Sequence, residues 1–123
     1  MSRTMSLALL ALCGCLRATH AAPSEADPAV TDGDKYHVIL ENEHVRILRY
    51  HDEPGARTHP HHHPEFALYA FAPFRRQLTF PDGSTRTREF QAGEIAWMAD
   101  QSHVGENVGT TPTDALLIEV KKR

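Results

Sequence analysis

Beyond residue 35 the chain never sustains a helical period of apolar residues. It breaks instead into short β-rich runs separated by turn residues. The runs are Tyr36–Leu40, His44–Tyr50, Phe66–Phe71, Gln77–Phe80, Thr85–Phe90, Glu94–Met98 and Ala115–Val120. Between them stand Pro54-Gly55, the hairpin signal Pro81-Asp82-Gly83-Ser84, Ala92-Gly93 and Gly109-Thr110-Thr111-Pro112. Short strands at spacings of roughly ten residues predict an all-β sandwich or barrel. With 123 residues in all, there is room for one domain and one small core. A small β domain leaves strand edges exposed, and the expectation is that a homodimer covers them.

The first residues read as an address rather than as structure. Arg3 is followed by the apolar run Met5 to Leu12 and then by Cys13-Gly14-Cys15, the pattern of a secretory signal peptide over residues 1–22. That run is far short of the roughly 20 residues that cross a bilayer, so no membrane span is expected. Cleavage after Ala21 or Ala22 releases an exported protein, periplasmic or secreted. Leu12-Cys13-Gly14-Cys15 also resembles a bacterial lipobox, which makes a lipid anchor through Cys15 the other exit. Both cysteines lie here, so the domain has neither a disulfide nor a thiolate metal site. Residues 23–34 are small and polar and read as a linker, leaving a domain over residues 35–121. Removing residues 1–22 takes away Arg3 and Arg17 and no acid, so the charge of the remainder is 11 − 16 = −5. No basic stripe is present, which argues against nucleic acid as a partner.

Histidine is the composition's outlier: nine in the chain, four of them between His59 and His63. On a strand, residues i and i+2 share a face, so His61 with His63, or His59 with His61, can converge on one ion. Neutral imidazoles are common ligands of zinc, iron, copper and nickel. Pro60 and Pro64 restrict the backbone of the cluster. A second segment, from Gly93 to Asn107, delivers the lone His103 just after a hydrophobic strand. His37, His44 and His51 have no partner pattern and read as structural or surface residues.

These two segments resemble the two motifs of the cupin superfamily. Gly55 followed by His61 and His63 matches the first, and Gly93, His103 and Asn107 match the second. In the second, Ala99 stands where a proline is usual, and Gln101 takes a glycine position. Phe80-Pro81-Asp82-Gly83 and the run from Glu106 to Pro112 look like the small single-domain members in particular. The resemblance covers residues 36–121. It implies a double-stranded β-helix, or jelly roll, with the site inside the barrel and one divalent metal ion, Fe(II), Zn, Mn or Ni. Two ligand registers are open. One uses His61, His63 and His103, and the carboxylate usual in the family then has Ala67 in its place. The other uses His59, His61, Glu65 and His103, which supplies the carboxylate but puts Gly55 only four residues before the first histidine. On the first register, Ala67→Glu is expected to complete a four-ligand set.

Three histidines on one face of an ion leave positions open for a small-molecule substrate. With iron(II) this is a variant of the facial triad, and the resemblance implies dioxygenase-type chemistry first. With zinc, manganese or nickel the ion acts as a Lewis acid for lyase or isomerase work. Glu65 and Tyr69 are candidate proton donors or acceptors, and Arg75, Arg76 or Gln77 candidates to orient an anionic substrate. Phe66, Tyr69, Phe71, Trp97 and Met98 are candidate wall residues. No glycine-rich phosphate loop and no local Ser/His/Asp signature is present. The alternative function is a non-catalytic small-molecule or metal-binding protein of the cell envelope.

Overall fold

The computed structural model describes residues 26–122. The signal-peptide reading, Cys15 and the start of the expected linker lie outside them. Nine strands follow one short helix, α1 (Pro28–Thr31). They are β1 (Tyr36–Glu41), β2 (Val45–Asp52), β3 (His61–His63), β4 (Phe66–Ala70), β5 (Phe74–Thr79), β6 (Thr85–Phe90), β7 (Ile95–Met98), β8 (Gln101–Asn107) and β9 (Thr113–Val120). Two antiparallel sheets result, ordered β1-β2-β9-β4-β7 and β3-β8-β5-β6. This is the all-β architecture expected from the run-and-turn pattern, in the jelly-roll form that the resemblance implied.

Alternation of side chains decides what lies between the sheets. Along β2, Leu48, Tyr50 and Asp52 point inward; along β4, Phe66, Leu68 and Ala70; along β9, Thr113, Ala115, Leu117 and Glu119. The apolar members pack with Tyr36, Phe74, Phe90 and Ala96 into one core. The β5–β6 hairpin turns where Pro81-Asp82-Gly83-Ser84 predicted it, with Gly83 at φ 84° and the Asp82 carboxylate accepting from the Ser84 amide at 2.9 Å. Gly55 and Gly93 also sit at positive φ, 86° and 81°, where an L side chain is strained, so each makes a corner ahead of a histidine-bearing segment.

Two strands differ from the sequence expectation. His61–His63 and Gln101–Asn107 are themselves strands, and they pair with each other. Neither has an apolar alternation, because the inward positions carry histidine, glycine and asparagine. The second half of the expected linker is also part of the packed structure. Asp27 caps α1 by accepting from the Ala29 amide at 2.9 Å, with Pro28 in the first turn. The Ala26 carbonyl accepts from the His62 amide at 2.9 Å, covering the free edge of β3. Asp32 is buried beneath this strap.

Candidate metal centre and barrel cavity

His61 and His63 stand two apart on β3 and therefore share its inner face, while His103 lies directly opposite His61 in the β3–β8 register. Their ring centroids are 4.8 Å (His61–His63), 4.8 Å (His61–His103) and 5.5 Å (His63–His103) apart. One ring nitrogen from each lies within 4.8 Å of the other two, and all three side chains are buried. These are the three histidines of the first of the two registers left open by the sequence, His103 having entered through the resemblance.

The hydrogen bonds settle which nitrogen of each ring faces the others. His61 Nδ1 is 2.8 Å from the His59 carbonyl, which can only accept, so Nδ1 carries the proton. His103 Nδ1 is 2.9 Å from Gln101 Oε1; the Gln101 amide nitrogen donates to the Ala99 carbonyl at 2.9 Å, so its oxygen is the acceptor. His63 Nδ1 donates to the Glu119 carboxylate at 3.3 Å. Each Nδ1 proton is thus committed outward, and each Nε2 lone pair is left for the interior. Tyr36 donates its hydroxyl to His61 Nε2 at 3.3 Å. His63 Nε2 is buried with no hydrogen-bond partner among the described residues. A buried acceptor without a partner is costly. A cation held by the three Nε2 atoms gives His63 that missing partner and takes the place of the Tyr36 hydrogen bond on His61, so the donor set fits a divalent metal.

Electrostatics agree. Burial pushes the imidazolium form of all three rings down, His103 to about 2 and His63 well below its usual range, with the neighbouring histidines adding to the shift in His63 and His103. The rings are therefore neutral at physiological pH, the form that ligates metals.

The supporting residues were not among the sequence candidates. Glu119 is 3% exposed and is the register partner of Arg46 on β2. Arg46 donates to Glu119 at 3.1 Å and to Asp27 at 2.8 Å, so the chain Asp27–Arg46–Glu119–His63 ties the N-terminal strap to a site histidine. Burial holds the Glu119 carboxyl above its ordinary value, although Arg46 pulls it down. Asp32 accepts from the His59 amide and from His59 Nδ1 at 3.0 Å, fixing the residue whose carbonyl orients His61. A signal for Glu119 was present: it falls in phase with Thr113, Ala115 and Leu117, the inward positions of β9, as Arg46 does with Leu48 and Tyr50.

Other candidates are placed elsewhere. His59 has 75% of its side chain exposed, and Glu65 is exposed as well, so the structure does not bring the second register together. Pro60 lies between the outward His59 and the inward His61, and Glu65 sits in the turn before β4. Tyr69 and Ala67 occupy the outward positions of β4, with Tyr69 against Phe71 at 5.1 Å between centroids. Neither Tyr69 nor a glutamate at position 67 would face the histidines; Leu68 is the inward neighbour. His62 turns away from its two neighbours toward Ser102 and Asp100. Asn107 is a staple that donates to Asp52 at 3.1 Å and to the Thr111 carbonyl at 2.9 Å. His37, His44 and His51 are exposed, as expected.

Beside the histidines opens a cavity of about 760 Å³, walled by Phe66, Leu68, Phe74, Leu78, Phe80 and Met98 and reached by His63, His103 and Tyr36. Its size is that of small-molecule sites. Of the three candidates for an anion, Arg76 faces inward but is held by Asp52 at 2.6 Å and lies over the Tyr50 ring, whereas Arg75 and Gln77 alternate to the outer side. Phe66 and Met98 belong to the wall; Phe71 and Trp97 are 39% and 60% exposed, Trp97 at the cavity's rim.

Compared with solved structures, the chain aligns with a cupin domain from Bordetella pertussis at a TM-score of 0.64 and 22% identity, covering 71% of this chain and 92% of that one. The chain has the cupin fold. A second cupin, an RmlC-like double-stranded β-helix from Methanocaldococcus jannaschii, aligns at TM-score 0.56 and 15% identity over 69% of this chain and 77% of that one. A polyketide cyclase from Streptomyces resistomycificus aligns at TM-score 0.53 and 19% identity over 72% and 65%. No protein-family model matches the chain, and no curated protein matches it by sequence. Among the described residues the inward carboxylate of the expected four-ligand pattern is absent, and Leu68 fills the inward position of β4 nearest to it. No helix among the described residues is long and apolar enough to cross a membrane.

Proposed function

We propose that this protein holds one divalent metal ion on the Nε2 atoms of His61, His63 and His103 and acts there on a small organic molecule bound in the barrel cavity. The observation that carries the reading is the convergence of three buried, neutral imidazoles whose Nδ1 protons are all engaged, with His63 Nε2 left unpartnered beside the cavity. A bound divalent ion supplies Lewis-acid polarisation, or, as iron(II), reactivity toward dioxygen. The protein's own part is to exclude water with an apolar wall and to orient the ligands. Tyr36 adds a protic group at the site: burial holds its phenol protonated, so its hydroxyl serves as a hydrogen-bond donor. Oxygenase chemistry is the first activity to assay, and lyase or isomerase chemistry the second. The leader-like N-terminus makes the cell envelope the compartment of this proposal.

The second reading, a non-catalytic binding protein, is favoured by the composition of the wall. No Lys, Glu or Cys lines the cavity among the described residues, and Arg76 and Arg88 are each held by a carboxylate. Elemental analysis of the untagged protein beside His103→Ala tests the metal site. Near-stoichiometric metal in the wild type, lost in the variant, is expected; metal content insensitive to His103 would overturn it. Consumption of oxygen or of substrate by the loaded protein then separates the enzyme from the binder.

We also infer that two copies pair through the outer face of the five-stranded sheet. Leu40, Ile47, Ile118, Ala67 and Trp97 are register partners in one row across all five strands. Ile95, beside Trp97 on β7, is 70% exposed. The charges on that face, Arg49 and Asp114, neutralise each other at 2.7 Å, leaving an apolar, uncharged surface suited to its own copy.

A further inference from the structure

The inner face of β6 carries charge where a barrel wall is ordinarily apolar. Arg86, Arg88 and Phe90 pair in register with Leu78, Arg76 and Phe74 of β5, and all six line the cavity. Phe90 stacks on Phe74 with centroids 4.7 Å apart, which fixes this face as the inward one. Three arginines therefore border one space, Arg76 within it and the exposed Arg86 and Arg88 at its edge.

Their compensation is unequal. Arg76 is neutralised by Asp52 at 2.6 Å, and Arg88 by Glu94 at 2.9 Å while lying over the Phe90 ring at 4.3 Å. The acid on the rim, Asp100, faces His62 at 3.3 Å and Lys122 at 3.6 Å. Arg86 has no carboxylate partner among the described residues. The cavity thus combines an apolar wall with one exposed, uncompensated guanidinium on β6, two strands along the same sheet from His103 on β8. A guanidinium presents a rigid fork of donors that matches a carboxylate, and a low-dielectric wall strengthens the attraction. An apolar body buried against Phe66, Leu68 and Met98 supplies the affinity that an exposed ion pair lacks.

We infer that the cavity takes an apolar organic anion, with its carboxylate or a similar acidic group on Arg86 and its apolar body extending toward His63 and His103. The inference rests on the barrel interior being the ligand site, and it adds the chemical class of the ligand.

Calorimetric titration of the purified full-length protein with 4-phenylbutyrate, 4-phenylbutanol and acetate tests it. A charge-assisted contact to the exposed Arg86 predicts that phenylbutyrate binds about fivefold tighter than phenylbutanol. It predicts no measurable acetate binding in the same range. In Arg86→Gln that preference should fall to within about twofold while phenylbutanol affinity and metal content stay unchanged, and Arg86→Lys should restore part of it. Equal binding of acid and alcohol by the wild type would overturn the anion preference alone. Survival of the preference in Arg86→Gln would move the anion to the metal and overturn the role of Arg86. Acetate binding as tightly as phenylbutyrate would remove the apolar half of the class. Binding of neither aromatic probe to folded, metal-loaded protein would overturn the cavity as a ligand site, and this inference with it, while leaving the metal site standing.

Discussion

Each of the three buried histidines spends its Nδ1 proton on a different kind of acceptor: a backbone carbonyl for His61, a carboxylate for His63, a side-chain amide for His103. The common effect is to fix one tautomer and to aim three Nε2 lone pairs at one point. Glu119 is the strongest of these supports, since an ionised acceptor raises the basicity of its imidazole. Replacing it by glutamine keeps the volume and one acceptor oxygen but removes the charge that Arg46 and His63 share. Glu119→Gln should weaken metal binding by roughly 10–100-fold, read by competition with a chromophoric chelator on protein shown to be folded by circular dichroism. An unchanged affinity would make Glu119 a partner of Arg46 only.

At the level of elements, the site depends on segments whose own sequence patterns are weak. β3 is three residues long, bounded by two prolines, and is held between β8 on one side and the N-terminal strap on the other. The strap is anchored at both ends, by Asp27 on Arg46 and by Asp32 beneath His59. Cutting the second anchor tests whether the strap positions the histidines. Asp32→Ala leaves the His59 amide without its side-chain acceptor and should cost about 1–3 kcal/mol of folding stability. It should also lower metal affinity, because the His59 carbonyl that orients His61 is no longer held. Chemical denaturation and chelator competition on the same preparation measure both, and loss of stability with affinity intact would confine the strap to a structural role. β4 carries the converse lesson. A glutamate at position 67 would point to the outer sheet face beside Trp97 and Ile118, not into the barrel.

For the whole molecule, the two faces of the five-stranded sheet have different tasks. The inner face builds the core and the cavity, while the outer face presents a row of apolar side chains from one edge strand to the other. Pairing through that row predicts a particle of twice the chain mass by sedimentation at micromolar concentration. Trp97→Glu, placing a charge in the middle of the contact, should shift it to the monomer without changing the far-ultraviolet circular dichroism. A wild-type monomer under those conditions would overturn the dimer.

Much of this architecture was legible in the chain before any coordinates. Seven of the nine strands, the Pro81-to-Ser84 hairpin and the sharing of one strand face by His61 with either His63 or His59 all follow from residues close in sequence. Alternation and turn chemistry are local properties of the backbone. The resemblance to cupins added His103 by motif order. What sequence spacing left open was the register: two sets of ligands fitted it, and only the fold separates them, by turning His59 and Glu65 to solvent. The same holds for Glu119 on His63, for Asp32 under His59, and for the arginine left uncompensated at the cavity's edge. These contacts join residues far apart in the chain, so they depend on which strands pair, in what register, and which charges that pairing brings within reach of one another. Chain neighbours set the strands and turns; the tertiary fold alone decided which buried groups found partners and which were left to face the cavity.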